Sequence, residues 1–317
     1  MAGPDPRLID FFARQRPEAA SPATRALLEE LQKKYGSNLL ALLFYGSCLR
    51  RGDHFDGLLD LYLLVDDYRQ IYPGRRLPAL GNRLLPPNVF YLETEADGRK
   101  VRCKYAILSA TDFARGCRSW FHPYIWARFV QPTAVLYYAS EQVGNFLDQA
   151  QAMAAISFVN AVLPCLPEGF STSELWGIGF DLSYSSELRP ERPGQGERLY
   201  QDNHSYYDEL SRLILSTSKF ARWIVKDDGN NRFRLHLPAG YRHRARRAWR
   251  LRALQGKLLS ILRLTKAAFT FQGGYDYLCW KIERHSGLEL PTPSKGRHTL
   301  FSFSRAAWQA WRRRGFR

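Results

Sequence analysis

Residues 39–67 decide how the chain begins to fold: Leu39-Leu40-Ala41-Leu42-Leu43-Phe44-Tyr45-Gly46-Ser47 and, after a polar interval, Leu58-Leu59-Asp60-Leu61-Tyr62-Leu63-Leu64-Val65-Asp66-Asp67. Both apolar runs are short and bounded by turn residues, which is the pattern of buried strands. Gly46-Ser47 closes the first run in a tight turn. Asp60 interrupts the second run near its start. A carboxylate inside an apolar strand is costly to bury without a partner, so Asp60 calls for a cation or another polar ligand.

Working outward, residues 22–34 predict an amphipathic helix with Leu27, Leu28 and Leu31 on one face and Ser21 as its N-cap. Residues 88–94 and 100–108 flank the polar stretch Glu95-Ala96-Asp97-Gly98 and predict a hairpin. After Pro132 the pattern turns helical, with helices expected over 140–163, 171–177 and 205–225 and a Pro/Gly/Arg-rich loop over 189–196. The expected class is therefore α+β, with a boundary between Gln131 and Gln142 and no internal repeat.

Lys plus Arg is 46 against 30 Asp plus Glu, a net charge of +16. Such a field attracts polyanions: nucleic acid, nucleoside triphosphates or an anionic lipid surface. Charge alone does not choose among them. Cys48, Cys103, Cys117, Cys165 and Cys279 are odd in number and lack C-x-x-C spacing. That argues against a disulfide framework or a zinc site and fits a reducing compartment. No apolar run is expected to be long enough to span a bilayer. Asp5, Asp10 and Glu18 make the N-terminus a poor leader, so a soluble or peripheral protein is expected.

The last third is the most basic. Arg242, Arg244, Arg246, Arg247, Arg250 and Arg252 crowd one stretch, and the chain ends with Trp308, Trp311, Arg312, Arg313, Arg314 and Arg317. Indole rings beside guanidinium groups suit a bilayer interface. A solvated tail, or one that stacks on nucleic-acid bases, would use the same residues.

A strand, then Gly-Ser, then a strand carrying an acid is how polymerase-β-like nucleotidyltransferases begin. The residue types suit the chemistry. Glycine lets backbone N–H groups approach a triphosphate, and serine adds a hydroxyl. A strand-borne carboxylate holds the magnesium that bridges the phosphates. A second acid commonly follows two places later; here that place is Tyr62. Asp66 and Asp67 can supply a second ligand only if the chain turns back; otherwise they are strand-ending turn residues.

With Leu58 to Asp67 following Tyr45-Gly46-Ser47, the chain resembles the mitochondrial-type phosphatidate cytidylyltransferases, known as translocator maintenance proteins. Those also have a single strand acid, an apolar or aromatic residue two places on, and an Asp near the strand's end. Further blocks are similar in the same order: Lys104-Tyr105-Ala106-Ile107; Trp120, Tyr124, Ala127-Arg128 and Pro132; Leu166-Pro167-Glu168-Gly169-Phe170-Ser171; Leu182-Ser183-Tyr184-Ser185-Ser186-Glu187-Leu188-Arg189; and residues 266–277. The chain departs from the family in a shorter, His-free segment over 68–87, in Ala127 for Gly, in Gln131 for Lys, and in Ser186-Glu187 for Gly-Asp.

The resemblance implies a polymerase-β-like nucleotidyltransferase domain (1–135), a mostly helical, winged-helix-like domain (136–300) and a basic aromatic membrane-binding tail (301–317). It implies magnesium-dependent joining of CTP to phosphatidic acid, giving CDP-diacylglycerol and pyrophosphate, at an anionic membrane surface and with no nucleic-acid partner. The expected place is the cytoplasmic face of a bacterial membrane or the mitochondrial matrix face. Tyr45, Gly46 and Ser47 are expected to hold the triphosphate, and Asp60 and Asp66 the metal. Lys104 and Arg128 are expected to face phosphate oxygens. Tyr184, Ser185 and Arg189 are candidates for the lipid-phosphate side or for a domain contact. His122, His204 and His285 lack metal-ligand spacing and read as structural. Two other functions use the same features: nucleotidyl transfer to an antibiotic, RNA or protein acceptor, and a non-catalytic basic module that holds RNA or anionic lipid.

Overall fold

The computed structural model describes residues 3–72, 74, 76–188, 194–227, 232–238 and 240–270. The expected tail over 301–317, Arg189, Cys279, His285 and most of the 266–277 block lie outside the described residues.

In chain order the first half runs α1 (Pro6–Arg14), α2 (Pro22–Tyr35), β1 (Leu39–Tyr45), α3 (Ser47–Arg51), β2 (Leu59–Val65), α4 (Tyr68–Ile71), α5 (Arg76–Leu84), β3 (Asn88–Ala96), β4 (Arg99–Ser109), α6 (Ala110–Arg118), α7 (Trp126–Phe129) and β5 (Ala134–Tyr138). Helix α2 starts where its cap predicts: Ser21 Oγ accepts from Thr24 N, and Thr24 Oγ1 accepts from Ser21 N. The five strands form one sheet in the order β3-β4-β2-β1-β5. The β2–β4 pair is parallel and the others antiparallel, so the sheet is mixed.

Both faces of this sheet are covered, which explains the nearly unbroken apolar runs. Leu42, Phe44, Leu61, Leu63, Tyr105 and Ile107 pack with Ala23, Leu27 and Leu31 of α2. The alternate positions Ala41, Leu43, Tyr62, Leu64, Ala106 and Leu108 join a second core with α1, α6 and α7. Each buried leucine contributes about 1.5–3 kcal/mol relative to exposure.

The second half continues α8 (Glu141–Val162), β6 (Gly169–Ser171), α9 (Thr172–Tyr184), α10 (Gln195–Gln201), α11 (His204–Thr217), β7 (Ile224–Asp227), β8 (Arg232–Leu235) and α12 (Tyr241–Thr270). Strands β6, β8 and β7 form a small antiparallel sheet. The core passes without a break from α1 and the main sheet into α8, α9 and α11. Phe158 stacks on Trp176 with ring centroids 5.2 Å apart.

Three expectations are corrected. The helix expected over 205–225 stops at Thr217, because Ser218 turns extended and Ile224–Asp227 pairs with β8. The short helix expected over 171–177 runs on to Tyr184, started by a Ser171/Glu174 capping box. The segment Glu141–Cys165 is, by length and composition, apolar enough to cross a membrane, yet most of it is buried inside the fold. The basic stretch near Arg242 begins the thirty-residue helix α12. That helix bridges both halves: Trp249 Nε1 donates to Ala161 O at 3.0 Å, and Lys266 Nζ donates to Pro87 O at 3.0 Å.

Candidate active site

The antiparallel register sets Tyr45 opposite Asp60, and the parallel register sets Asp60 beside Lys104. The acid thus lies on a central strand, between the Gly46-Ser47 turn and a lysine. Lys104 Nζ sits 3.2 Å from Asp60 Oδ1. On the other side, Gly46 has φ +92°, and a Cβ there would stand 3.1 Å from Asp60 Oδ2. Glycine is required twice over, for its positive φ and for the open space beside the carboxylate. Gly46→Ala is expected to cost about 1–2 kcal/mol of stability through the left-handed backbone. Thermal melting reads this cost, and an unchanged melting temperature would contradict it.

Arg128, one residue before the end of α7, forms the facing wall. Nη1 donates to Tyr62 Oη at 3.0 Å and to Tyr124 O at 3.3 Å; Nη2 donates to Glu187 Oε1 at 3.2 Å. Its guanidinium carbon lies 4.3 Å from the Tyr124 ring centroid. Burial opposes the charge, but the facing phenols and Glu187 outweigh it and keep the Arg128 pKa above its ordinary value. Tyr62 occupies the place where a second acid is common. Its phenol is fully buried, which pushes its pKa up, and it serves as an acceptor for Arg128.

One cleft is lined by Tyr45, Gly46, Ser47, Asp60 and Arg128, which the sequence singled out, with Lys104 paired to Asp60 beside it. Tyr184 joins the lining, whereas Ser185 is exposed and donates to Leu182 O at the end of α9. Asp66 does not belong. It is exposed past the opposite end of β2, about 20 Å from Asp60 at roughly 3.3 Å per strand residue. The two carboxylates therefore cannot share one ion, because the strand runs straight where metal sharing would need it to fold back.

Sequence reasoning missed Arg50, Gln195 and the part played by Glu187, all in the lining. Arg50 lies one helical turn after Ser47, and its Nε is 3.6 Å from Asp202 Oδ2. Its i+3 spacing from Ser47 was the available signal. Nothing local marked Gln195, which tertiary packing brings in.

Among the described residues no group of three or more His, Cys, Asp or Glu side chains is placed to hold a metal. The donor set fits magnesium in one way. Asp60 Oδ2 faces the Gly46 turn while Oδ1 is taken by Lys104, and magnesium is usually held by one or two carboxylates, waters and the substrate's own phosphates.

Behind the cleft, His122 Nδ1 accepts from Tyr124 N at 3.1 Å, leaving Nε2 to carry the proton. Burial, then Arg263 and Arg128, lower the His122 pKa from 6.5 to about 3. The unfolded chain binds this proton below about pH 6.5 and the fold does not. The stability that neutral His122 provides is therefore present above pH 6.5 and lost as pH falls towards 3, at up to about 1.4 kcal/mol per unit. His122→Asn is expected to flatten the loss of melting temperature between pH 7 and 5; parallel curves would contradict it.

No protein-family model and no curated protein matches the chain. Among solved structures, a nucleotidyltransferase-like protein from Exiguobacterium sibiricum is 11% identical, covering 87% of this chain and 96% of its own, with a TM-score of 0.26. Likeness that loose carries no argument. The chain is a mixed α+β protein with a five-stranded mixed sheet and a charged cleft at one end of it.

Proposed function

We propose that the protein is a nucleotidyltransferase that takes CTP and phosphatidic acid and yields CDP-diacylglycerol and pyrophosphate. The observation that carries this is Asp60, held between the Gly46 turn and Lys104 in a cleft walled by Arg128. Arg50 and Arg128 line the cleft and Lys104 stands beside it, three cations within reach of a polyanionic ligand. The similar sequence blocks support the choice of substrates. A lipid acceptor also agrees with α12, which has no acidic residue and exposes Leu251, Leu254, Leu258, Ile261 and Leu262 along one side.

In the proposed reaction an oxygen of the acceptor phosphate forms a bond to the α-phosphorus. The bond from that phosphorus to the α–β bridging oxygen breaks, and its electron pair leaves on pyrophosphate. The acceptor is already ionised at neutral pH, so no general base is required and catalysis is positioning plus charge stabilisation. Magnesium, when bound at Asp60, supplies neutralisation of phosphate charge. Gly46 gives the phosphates close approach, and Arg128 and Lys104 hold their oxygens.

Tyr62 in the second acidic place favours one other function, a non-catalytic module that binds triphosphate or anionic lipid. Purified protein with magnesium, each labelled nucleoside triphosphate in turn and phosphatidic acid in mixed micelles distinguishes them. A lipid-soluble product with pyrophosphate release from CTP is expected. No lipid product with any nucleotide, from folded protein that binds triphosphate, overturns phosphatidic acid as the acceptor.

A further inference from the structure

Helix α12 reaches the cleft from the far end of the described chain. Arg263 lays its guanidinium 4.1 Å from the centroid of Tyr124. Arg128 lies against that ring too, at 4.3 Å. The two cations are not held alike. Arg128 has the carboxylate of Glu187, the phenol of Tyr62 and the carbonyl of Tyr124. Arg263 donates from Nε to Pro86 O at 3.1 Å, and its Nη1 is buried without a hydrogen-bond partner. A buried guanidinium nitrogen with an unmet donor, on a side chain beside a second cation, is a costly arrangement for packing alone.

The helix grips the Tyr124 segment at further points. Arg252 Nε donates to Phe121 O at 2.9 Å. Gly256 lies where any Cβ would overlap the Ser186 carbonyl and crowd His122 Nε2. His122 in turn accepts from Tyr124 N, and Ser186 precedes Glu187, the partner of Arg128. Through Arg263 the helix touches Tyr124 itself, and through Gly256 it packs on Ser186 and His122, beside two of the residues that hold Arg128.

We infer that Arg263 is a positioning residue of the cleft: it clamps Tyr124 from behind and so fixes the guanidinium of Arg128 towards the bound phosphates. Helix α12 is then part of the nucleotide site, although Arg263 does not touch substrate. The inference rests on the assignment of the cleft to a triphosphate made above.

The test is a double-variant cycle on the full chain, read as the dissociation constant for magnesium-CTP and, separately, as melting temperature. Arg263→Met keeps the length of the side chain and removes the charge. Arg128→Lys keeps a cation opposite Glu187 and loses the planar fork. Each single change is expected to weaken binding about tenfold, and the double variant to bind about as weakly as Arg128→Lys alone, because coupled residues are not additive. Arg263→Lys is expected to restore most of the affinity, since an ammonium also stacks on an aromatic ring. Unchanged affinity in Arg263→Met, or losses that multiply independently, would overturn the positioning role while leaving the triphosphate site standing. Where Arg263→Met lowers the melting temperature too far for titration, Arg263→Lys decides: near-parental affinity supports the clamp and a full loss overturns it. A parent protein that binds no triphosphate overturns both this inference and the proposed function.

Discussion

Asp60→Asn is expected to lower the proposed nucleotidyl transfer by at least ~10³-fold, about 4 kcal/mol of transition-state stabilisation, while leaving the fold intact. The amide has nearly the carboxylate's shape, so the Gly46 turn and β4 need not move. The Lys104–Asp60 pair is more than a quarter exposed on each side. Breaking it therefore costs at most about 1 kcal/mol. Binding should respond in the opposite sense from catalysis when magnesium is chelated. A carboxylate at the phosphate turn repels a bare triphosphate, so Asp60→Asn should bind CTP at least as tightly as the parent in EDTA. Product formation and metal-free titration check the two halves. A variant that keeps more than a tenth of the parental rate would show that Asp60 is not the metal-holding group and would favour a binding module.

Arg128→Met is expected to be the most destabilising single change at the cleft, costing about 3–5 kcal/mol. The reason is what it leaves behind. Arg128 and Glu187 are 10% and 14% exposed, so removing the cation takes the ion-pair partner from a nearly buried carboxylate and a donor from the buried Tyr62 phenol. Adding Glu187→Gln should recover a substantial part of the stability without recovering activity, because the guanidinium that faces the phosphates is still missing. Urea unfolding of the two single variants and the double variant measures this. Equal stability of Arg128→Met and the parent would mean that Glu187 is satisfied elsewhere, and the ion pair would lose its role in holding the wall.

Much of the main sheet was legible before any coordinates. The runs ending at Tyr45 and Val65 alternate buried faces as strands must, and the turn residues that bound them are local chemistry. The α2 cap and the hairpin over 88–108 were legible for the same reason. The helix expected over 205–225 was not, because an apolar stretch such as Ile224-Val225 suits a helix or a strand until a partner strand is present. Asp66 misled because sequence spacing does not say whether a chain turns back.

By itself, then, the sequence determined the strand–Gly-Ser–strand opening, the isolated carboxylate at Asp60, the basic character of the chain and the cations Lys104 and Arg128. These are local or compositional properties, carried by residue type and short spacing. Tertiary structure alone decided that Lys104 lies in register with Asp60, that Tyr62 receives Arg128 in place of a second acid, and that Glu187, Gln195 and Arg263 converge from segments far along the chain. A parallel strand pair and segments crossing between two halves bring together residues 44 to 139 positions apart. No local propensity encodes such pairings; they exist only once the shared core has closed.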